Sequence, residues 1–442
     1  MRVDQPQKRH MSVWTASSFV VASMIGTGVF TSLGFQLIEM QSVFPLLMLW
    51  VLGGVVAFCG ALTYSELGAA LPRSGGEYHL LSRIINPAVG FAGGFVSATI
   101  GFSAPAVLAA IALGNYISAV FPVIQPVWTA FFIIITIHGL HSTSLKWGTL
   151  FQDWSTAMKI GLLLLFIING FLVKNPESIS IIPKTGDWDV MLGSGFAVSL
   201  VWVSYAYTGW NSAIYVAGEV KNPMREIPRS LLISTGFVTL LYVLLNFIFL
   251  HTAPVNELIG KVEVGYISGV FVFGQTGAKI MAIGISILLL STVSSLIYIG
   301  PRIMQTMGED HSYIKILARR NGDGIPIYAF ALQLVISVIF LFTSSFEQVL
   351  MYSGIALIIT TTITVFSLFV LRRREPKLSR PYKAWGYPWT PIIFLIVNIW
   401  ILYYTIQEKP LESLVGILIF LFSLGLFYFG KVFEKRNEKQ MN

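Results

Sequence analysis

Three places in this 442-residue chain put polar or unpaired groups inside apolar runs that would otherwise exclude them. The first is Gly26-Thr27-Gly28, within Val20–Phe30, with apolar residues on both sides from Val13 to Val21 and from Val29 to Ile38. The whole run is long enough to cross a bilayer, and it is broken in its middle. Backbone groups freed at that depth survive only where they line a cavity or pack against protein. A half-helix starting near Thr27 would aim bare N–H groups and the positive end of its dipole at a ligand, an arrangement suited to a carboxylate. Close packing of a glycine pair is the competing structural use of the same residues.

The second place is Ser204-Tyr205-Ala206-Tyr207-Thr208-Gly209-Trp210-Asn211, where polar side chains and a glycine interrupt another apolar run. The third is Lys159, about three helical turns into the run 148–172. A charge inside a membrane is costly and marks function by default, although a lysine can also snorkel to the interface. Facing the bundle, its ammonium would act as a tethered cation joining the first break to Ser291, Thr292, Ser294 and Ser295. It is also a candidate proton carrier.

The elements that position these groups follow from composition. The chain is 55% hydrophobic and 11% charged, against about 25% charged residues in soluble domains, which makes it an integral membrane protein. Apolar segments of spanning length fall at 13–37, 43–69, 87–120, 126–141, 148–172, 194–217, 229–253, 277–301, 326–344, 347–371, 388–406 and 411–431. With the N-terminus inside, 23 of the 29 Lys and Arg residues fall in cytoplasmic segments, and only Lys174, Lys184, Lys261, Lys279 and Lys409 lie outside. That bias predicts cytoplasmic termini and accounts for the net charge of +8 without nucleic acid. The basic stretch Met1–His10 leads into an apolar run too long for a cleavable signal, so the first span is expected to be its own anchor. The single cysteine, Cys59, rules out an intrachain disulfide.

The two interrupted spans are the first and the sixth, crossed in opposite directions. Interruptions at corresponding positions of two halves point to an inverted-repeat transporter with its site at the midplane. The expected fold is therefore all-α and polytopic. Twelve helices form one transmembrane domain, with repeats over 13–172 and 194–371 and accessory helices over 388–431. Residues 70–86 should form a short amphipathic helix beside the pore, opened by Ser74-Gly75-Gly76. A further short helix is expected near Val264–Val272, and 372–387 reads as a solvated basic loop against anionic headgroups.

The acidic residues expected nearest the core are Glu66, Asp153 and Glu219, all at cytoplasmic ends, with Arg73, Arg225 or Arg302 as expected partners. No deep carboxylate is visible to receive a cationic substrate side chain. His138 and His141 lack a third ligand, so no metal site is expected. Phosphate loops, nucleophile elbows and paired catalytic carboxylates are absent, so neither an enzyme nor a cofactor is expected.

At these residues the chain resembles the amino acid–polyamine–organocation superfamily, and within it the L-type amino acid transporter branch and its bacterial relatives. The matching stretches are Met24-Ile-Gly-Thr-Gly-Val-Phe30, Ser65-Glu-Leu-Gly68, Pro72-Arg-Ser-Gly-Gly-Glu-Tyr78, Lys159, Tyr205-Ala-Tyr-Thr-Gly-Trp-Asn211 and Glu219-Val-Lys-Asn-Pro223. The resemblance implies the five-plus-five fold, with the substrate carboxylate at Gly26, Thr27 and Gly28. It implies an amino group held by carbonyls at Met24 or Ile25 and at Tyr205, Ala206, Tyr207 and Thr208, with Gly209 also in the substrate site. Tyr205 stands where an aromatic caps the substrate from outside. Lys159 stands in for a sodium ion, and Tyr242 for a tyrosine that works with it. Thr208 departs from the glycine or aspartate common in the branch. Phe121–Val127 carries no cysteine, so the disulfide of animal members to an ancillary glycoprotein is not expected.

The expected function is sodium-independent transport of neutral amino acids across the cytoplasmic membrane, as an exchanger or a proton-linked permease. The alternatives are an amino acid sensor on the same fold, disfavoured by short tails, and a polyamine or cationic amino acid antiporter.

Overall fold

The computed structural model describes the backbone of residues 11–441 apart from 74, 144–147 and 323, and it does not describe the side chains of 143, 148–155 and 435–441. The expectations placed on Met1–His10, Ser74 and the Asp153 side chain therefore lie outside the described residues. The described residues form an all-helical fold, and among them eight helical stretches are long and apolar enough to cross a membrane, with four shorter apolar helices beside them. It is a multi-pass membrane protein.

The first apolar run is two helices, α1 (Val13–Met24) and α2 (Gly28–Glu39). Ser12 caps α1 by accepting the Thr15 amide at 3.3 Å. α3 (Val43–Ala70) returns, and the short α4 (Gly76–Ile84) follows where residues 70–86 were expected to form an amphipathic helix. α5 (Pro87–Val96), a π-helical turn (Ser97–Gly101) and α6 (Ser103–Val120) make the next long stretch. α5 starts cleanly because Asn86 caps the Val89 amide at 2.9 Å and Pro87 lacks the amide that would go unpaired. α7 (Pro126–Thr143) and α8 (Gly148–Phe171), which carries Lys159, complete the first half.

After a short α9 (Asp187–Leu192), α10 (Ser194–Ala206) stops at the second polar interruption. Irregular turns run from there to α11 (Pro223–Thr252). α12 (Val255–Leu258) leads into α13 (Val264–Asp310), which bends at Gly274, where the backbone leaves the helical region (φ 70°, ψ 178°). The short helix expected near Val264–Val272 is thus the arm of α13 before this bend. α14 (Ile327–Thr343), α15 (Phe346–Arg374), α16 (Trp389–Glu408) and α17 (Pro410–Met441) finish the chain.

At one end Met11 pairs with Glu219 and Lys221 through backbone bonds of 3.0 Å, Arg83 meets Glu375 at 2.7 Å, and Ser312 bonds Glu434 at 2.6 Å. At the other, Lys409 meets Glu347 at 3.1 Å and the Gly260 amide reaches the Gly34 carbonyl at 2.7 Å.

Two expectations at the first end need correction. Fully buried Glu66 is gripped by Arg372 at 2.6 and 2.9 Å, by the Ala384 amide at 2.7 Å and by Arg380 at 3.5 Å, rather than by Arg73, Arg225 or Arg302. The 372–387 stretch is therefore not simply solvated, because two of its arginines neutralise an anion that burial would otherwise make prohibitive. Arg302 instead lies over the Tyr298 ring, 3.6 Å from its centroid.

Candidate functional site

The two interruptions meet. α1 ends at Met24, Ile25 takes a non-helical conformation (φ −73°, ψ 88°), and α2 begins at Gly28. The amides that open α2 have no intrahelical acceptor, a consequence of any helix start. Opposite, Gly209 has φ 97°, a conformation glycine adopts without penalty, and a β-carbon there would sit 2.7 Å from the Ser23 carbonyl carbon. Gly28 likewise lies against Ala206, whose α-carbon would be 2.5 Å from an added β-carbon. Gly28 and Gly209 therefore let the broken segments touch, whereas Gly26 has only ordinary contact with Thr292, at 3.5 Å.

Tyr242 of α11 fastens the contact. Its hydroxyl lies 2.6 Å from the Met24 carbonyl and 3.2 Å from the Ala206 carbonyl, the last residues of α1 and α10, and donates its proton between them. The ring is fully buried, edge-on to Trp50 at 5.6 Å and beside Tyr207 at 5.1 Å.

Lys159 lies inside the bundle with 1% of its surface exposed, so it does not snorkel. Its ammonium donates to the Thr292 hydroxyl of α13 at 2.9 Å and lies 3.5 Å from the Ala22 carbonyl in the last turn of α1. One cation thus bridges α8, α13 and the first break. Of the expected hydroxyl partners, Ser294 turns instead to His141, at 2.8 Å, and Ser295 bonds the Ser291 carbonyl at 2.9 Å. A histidine took Ser294 and a local helix carbonyl took Ser295, and of the expected hydroxyls Thr292 faces the lysine.

Met24, Gly26, Thr27, Gly28, Tyr205, Ala206, Thr208, Gly209 and Ser295 all line one central cavity. Tyr205 is in contact with the Thr27 side chain, and Thr208 folds back on the Tyr205 carbonyl at 2.7 Å. Ile25 and Tyr207 do not line it. Ile25 is buried in packing, and Tyr207 points away, its hydroxyl on the Trp50 carbonyl at 2.9 Å beside a smaller hollow between α3, α10, α15 and α16. Successive residues on a helix end differ by about 100° in direction, so Tyr205 and Tyr207 face different neighbours.

From the breaks the cavity lining continues through Phe19, Ser212, Tyr215 and Ile299 towards the end where Met11 and Glu219 pair. Away from that end Phe35 stacks on Trp202, with ring centroids 4.4 Å apart, and on Phe346 at 5.8 Å. The sequence reading missed two features of the lining. The π-helical turn contributes Ser97 and Gly101. Glu77 of α4 is 1% exposed and lines the cavity, so a deep carboxylate does exist. It accepts from Tyr64 at 2.7 Å, Asn211 at 3.1 Å and Ser97 at 3.3 Å. Burial pushes its carboxyl up to about 7, against the pull of those three donors. The signal available in the sequence was its place beside Gly75-Gly76: a β-carbon at Gly76 would strike the Tyr215 ring, so α4 must lie tight against the cavity wall.

The sequence that builds this arrangement has counterparts among known proteins. The chain is 26% identical to the large neutral amino acids transporter small subunit 2 of Mus musculus over 439 residues, covering 97% of this chain and 82% of that one. It is 26% identical to the serine/threonine exchanger SteT of Bacillus subtilis (strain 168) over 438 residues, covering 96% and 97%. To the Asc-type amino acid transporter 1 of Mus musculus it is 25% identical over 435 residues, covering 96% and 81%. The sequence model of the amino acid permease family matches residues 11–430, and the chain belongs to that family of transporters.

Proposed function

We infer that this amino acid permease carries α-amino acids with neutral side chains across the cytoplasmic membrane, without sodium, by alternating access. Twelve spans form two oppositely oriented five-span repeats with two accessory helices, and both termini are cytoplasmic. The substrate carboxylate sits at the amides of Gly26, Thr27 and Gly28, where a helix N-terminus favours an anion. Its ammonium meets carbonyls of the two breaks on the side that faces the cavity, where those of Met24 and Ala206 already share the Tyr242 proton.

The observation that carries this reading is the pair of breaks, joined by Tyr242, facing one cavity beside a bundle-facing Lys159. The tethered ammonium between α1 and α13 makes a bound cation there unnecessary. Glu77 does not by itself favour a cationic substrate, because three protein donors already occupy its two oxygens. The relatives' substrates, large neutral amino acids for one and serine and threonine for another, are consistent with a neutral side chain. The loop at Phe121–Val127 offers no cysteine to a companion, and Cys59 is buried, which favours a carrier without a disulfide-linked ancillary subunit.

Counterflow in sodium-free proteoliposomes with a radiolabelled amino acid panel tests the proposal. Neutral L-amino acids should exchange, while lysine, arginine, putrescine and cadaverine should compete poorly. Removing the α-carboxylate or blocking the α-amine should abolish competition. Strong inhibition by putrescine would overturn the neutral reading, and specific binding without turnover would favour a sensor.

A further inference from the structure

Glu77 lines the cavity while almost fully buried, and its surroundings are unusual for a carboxylate. Its three donors come from three different elements: Tyr64 from α3, Ser97 from the π-helical turn, and Asn211 from the stretch just past the second break. All are neutral. The titratable groups facing it are the hydroxyls of Tyr64 and of Tyr215, which also lies 3.3 Å from Ser97.

Nearby charges are engaged elsewhere. On α4 itself, Tyr78 bonds Asp310 at 2.8 Å and Arg83 pairs with Glu375 at 2.7 Å, while His79 answers to Arg73, Arg83 and Asp310. α5 carries no titratable side chain. From α15, Arg372 holds Glu66 and Arg374 donates to the Ile84 carbonyl at 2.8 Å. Among the described residues no Lys, Arg or His reaches Glu77 within ion-pair distance.

A buried anion without a counter-ion gains by taking up a proton, while donors favour the charged form. The two forms make different bonds. As a carboxylate, Glu77 accepts from all three donors and holds α3, the π-helical turn and the segment past the second break onto α4. As a carboxylic acid one oxygen carries an O–H that itself needs an acceptor, which weakens or reverses the bond a donor makes to that oxygen, while the other oxygen still accepts. The proton therefore changes the contacts that α4 makes with α3, the π-helical turn and the segment past the second break, around the same cavity that receives the substrate.

Resting on the amino acid transport reading above, we propose that Glu77 is the proton-coupling residue of this carrier. Its carboxylate takes a proton from hydronium in the cavity on the acidic side, forming an O–H bond and leaving water. It returns that proton to water on the other side, one proton moving with each amino acid. Burial that places its titration at about 7 supports this role, since that is within the range across which membranes hold pH gradients.

The test uses the full-length protein in sodium-free proteoliposomes, with radiolabelled L-leucine and L-serine as probes and entrapped pyranine to report internal pH. With the outside more acidic by about one unit, the wild type should accumulate amino acid up to about tenfold, with matching acidification inside. Glu77→Gln should lose that accumulation, and its counterflow should no longer vary between about pH 5.5 and 8. Tyr64→Phe removes one donor to the carboxylate, which then holds its proton to higher pH. The midpoint of the pH profile should rise by about one unit.

Gradient-driven accumulation by Glu77→Gln, a wild type that ignores the gradient, or a midpoint unmoved by Tyr64→Phe would each overturn the assignment. If Glu77→Gln does not reconstitute, the Tyr64→Phe midpoint decides. Wild-type counterflow at equal pH reports transport itself. A carrier that exchanges but ignores the gradient refutes only the proton role, whereas absence of exchange refutes the transport reading as well.

Discussion

Tyr242→Phe removes one oxygen atom from the point where the two broken helices are joined. The ring keeps its packing against Trp50 and Tyr207, so the bundle should remain folded. What changes is that the Met24 and Ala206 carbonyls, 2.6 and 3.2 Å from the hydroxyl, lose their shared donor in a fully buried site. Leaving a buried acceptor unsatisfied costs about 1–3 kcal/mol. Much of this is felt only in states where the breaks are held together, so substrate binding or turnover should fall by about 5- to 150-fold. Counterflow at saturating and subsaturating substrate, with a thermal unfolding scan in detergent, separates the two effects. Phe should unfold near the wild-type temperature and transport poorly, while Tyr242→Leu should lose both properties. Counterflow by Tyr242→Phe within twofold of wild type would refute the idea that this hydroxyl couples the breaks.

Other perturbations separate neighbouring roles. Lys159→Ala leaves Thr292 and the Ala22 carbonyl without their cation, and should weaken binding or turnover by about 5- to 150-fold. Lys159→Arg should rescue only in part, since its planar fork is larger than the ammonium; wild-type uptake with choline in place of sodium should be undiminished. Near-normal counterflow by the alanine variant would remove the lysine from the mechanism. Gly26→Val should spare folding and block binding, because a β-carbon there meets Thr292 only at ordinary contact distance, whereas Gly28→Val should also destabilise the fold by pushing α2 off Ala206; radioligand binding and size-exclusion profiles would distinguish them, and equal behaviour would contradict the assignment. Arg372→Ala strands fully buried Glu66 with only Arg380 and an amide, and should destabilise the protein by up to about 3–5 kcal/mol, read as a lower melting temperature in detergent. An unchanged melting temperature would show that Arg380 suffices.

Hydropathy made the helical stretches legible because spanning a bilayer demands long apolar runs, but not their limits where a helix runs on beyond its apolar core, as α13 does from Val264 to Asp310, or stops at a break, as α10 does at Ala206. Both breaks were legible for a related reason: Gly26, Gly28 and Gly209 have few other uses in such runs. Lys159 could be noticed but not oriented, since an isolated charge on an apolar helix reads alike whether it faces lipid or the bundle. Glu77 was missed because a nine-residue amphipathic helix has the same pattern whether its acidic side meets water or a polar cavity. Tyr207 shared a motif with Tyr205 yet points elsewhere, as helical rotation dictates. Glu66 and Arg372 are 306 positions apart, and no local pattern links them.

The central claim is that an α-amino acid lies between the two breaks with its carboxylate on the start of α2. A structure of the full-length protein in nanodiscs, saturated with the amino acid that exchanges best in the counterflow panel, tests it most directly. The account predicts density in the central cavity, with both carboxylate oxygens within about 3.2 Å of amides among Gly26, Thr27 and Gly28 and the ammonium directed at the carbonyls of the breaks. Density confined to the smaller hollow beside Tyr207, or an ammonium clasped by Glu77 with the carboxylate away from α2, would contradict it.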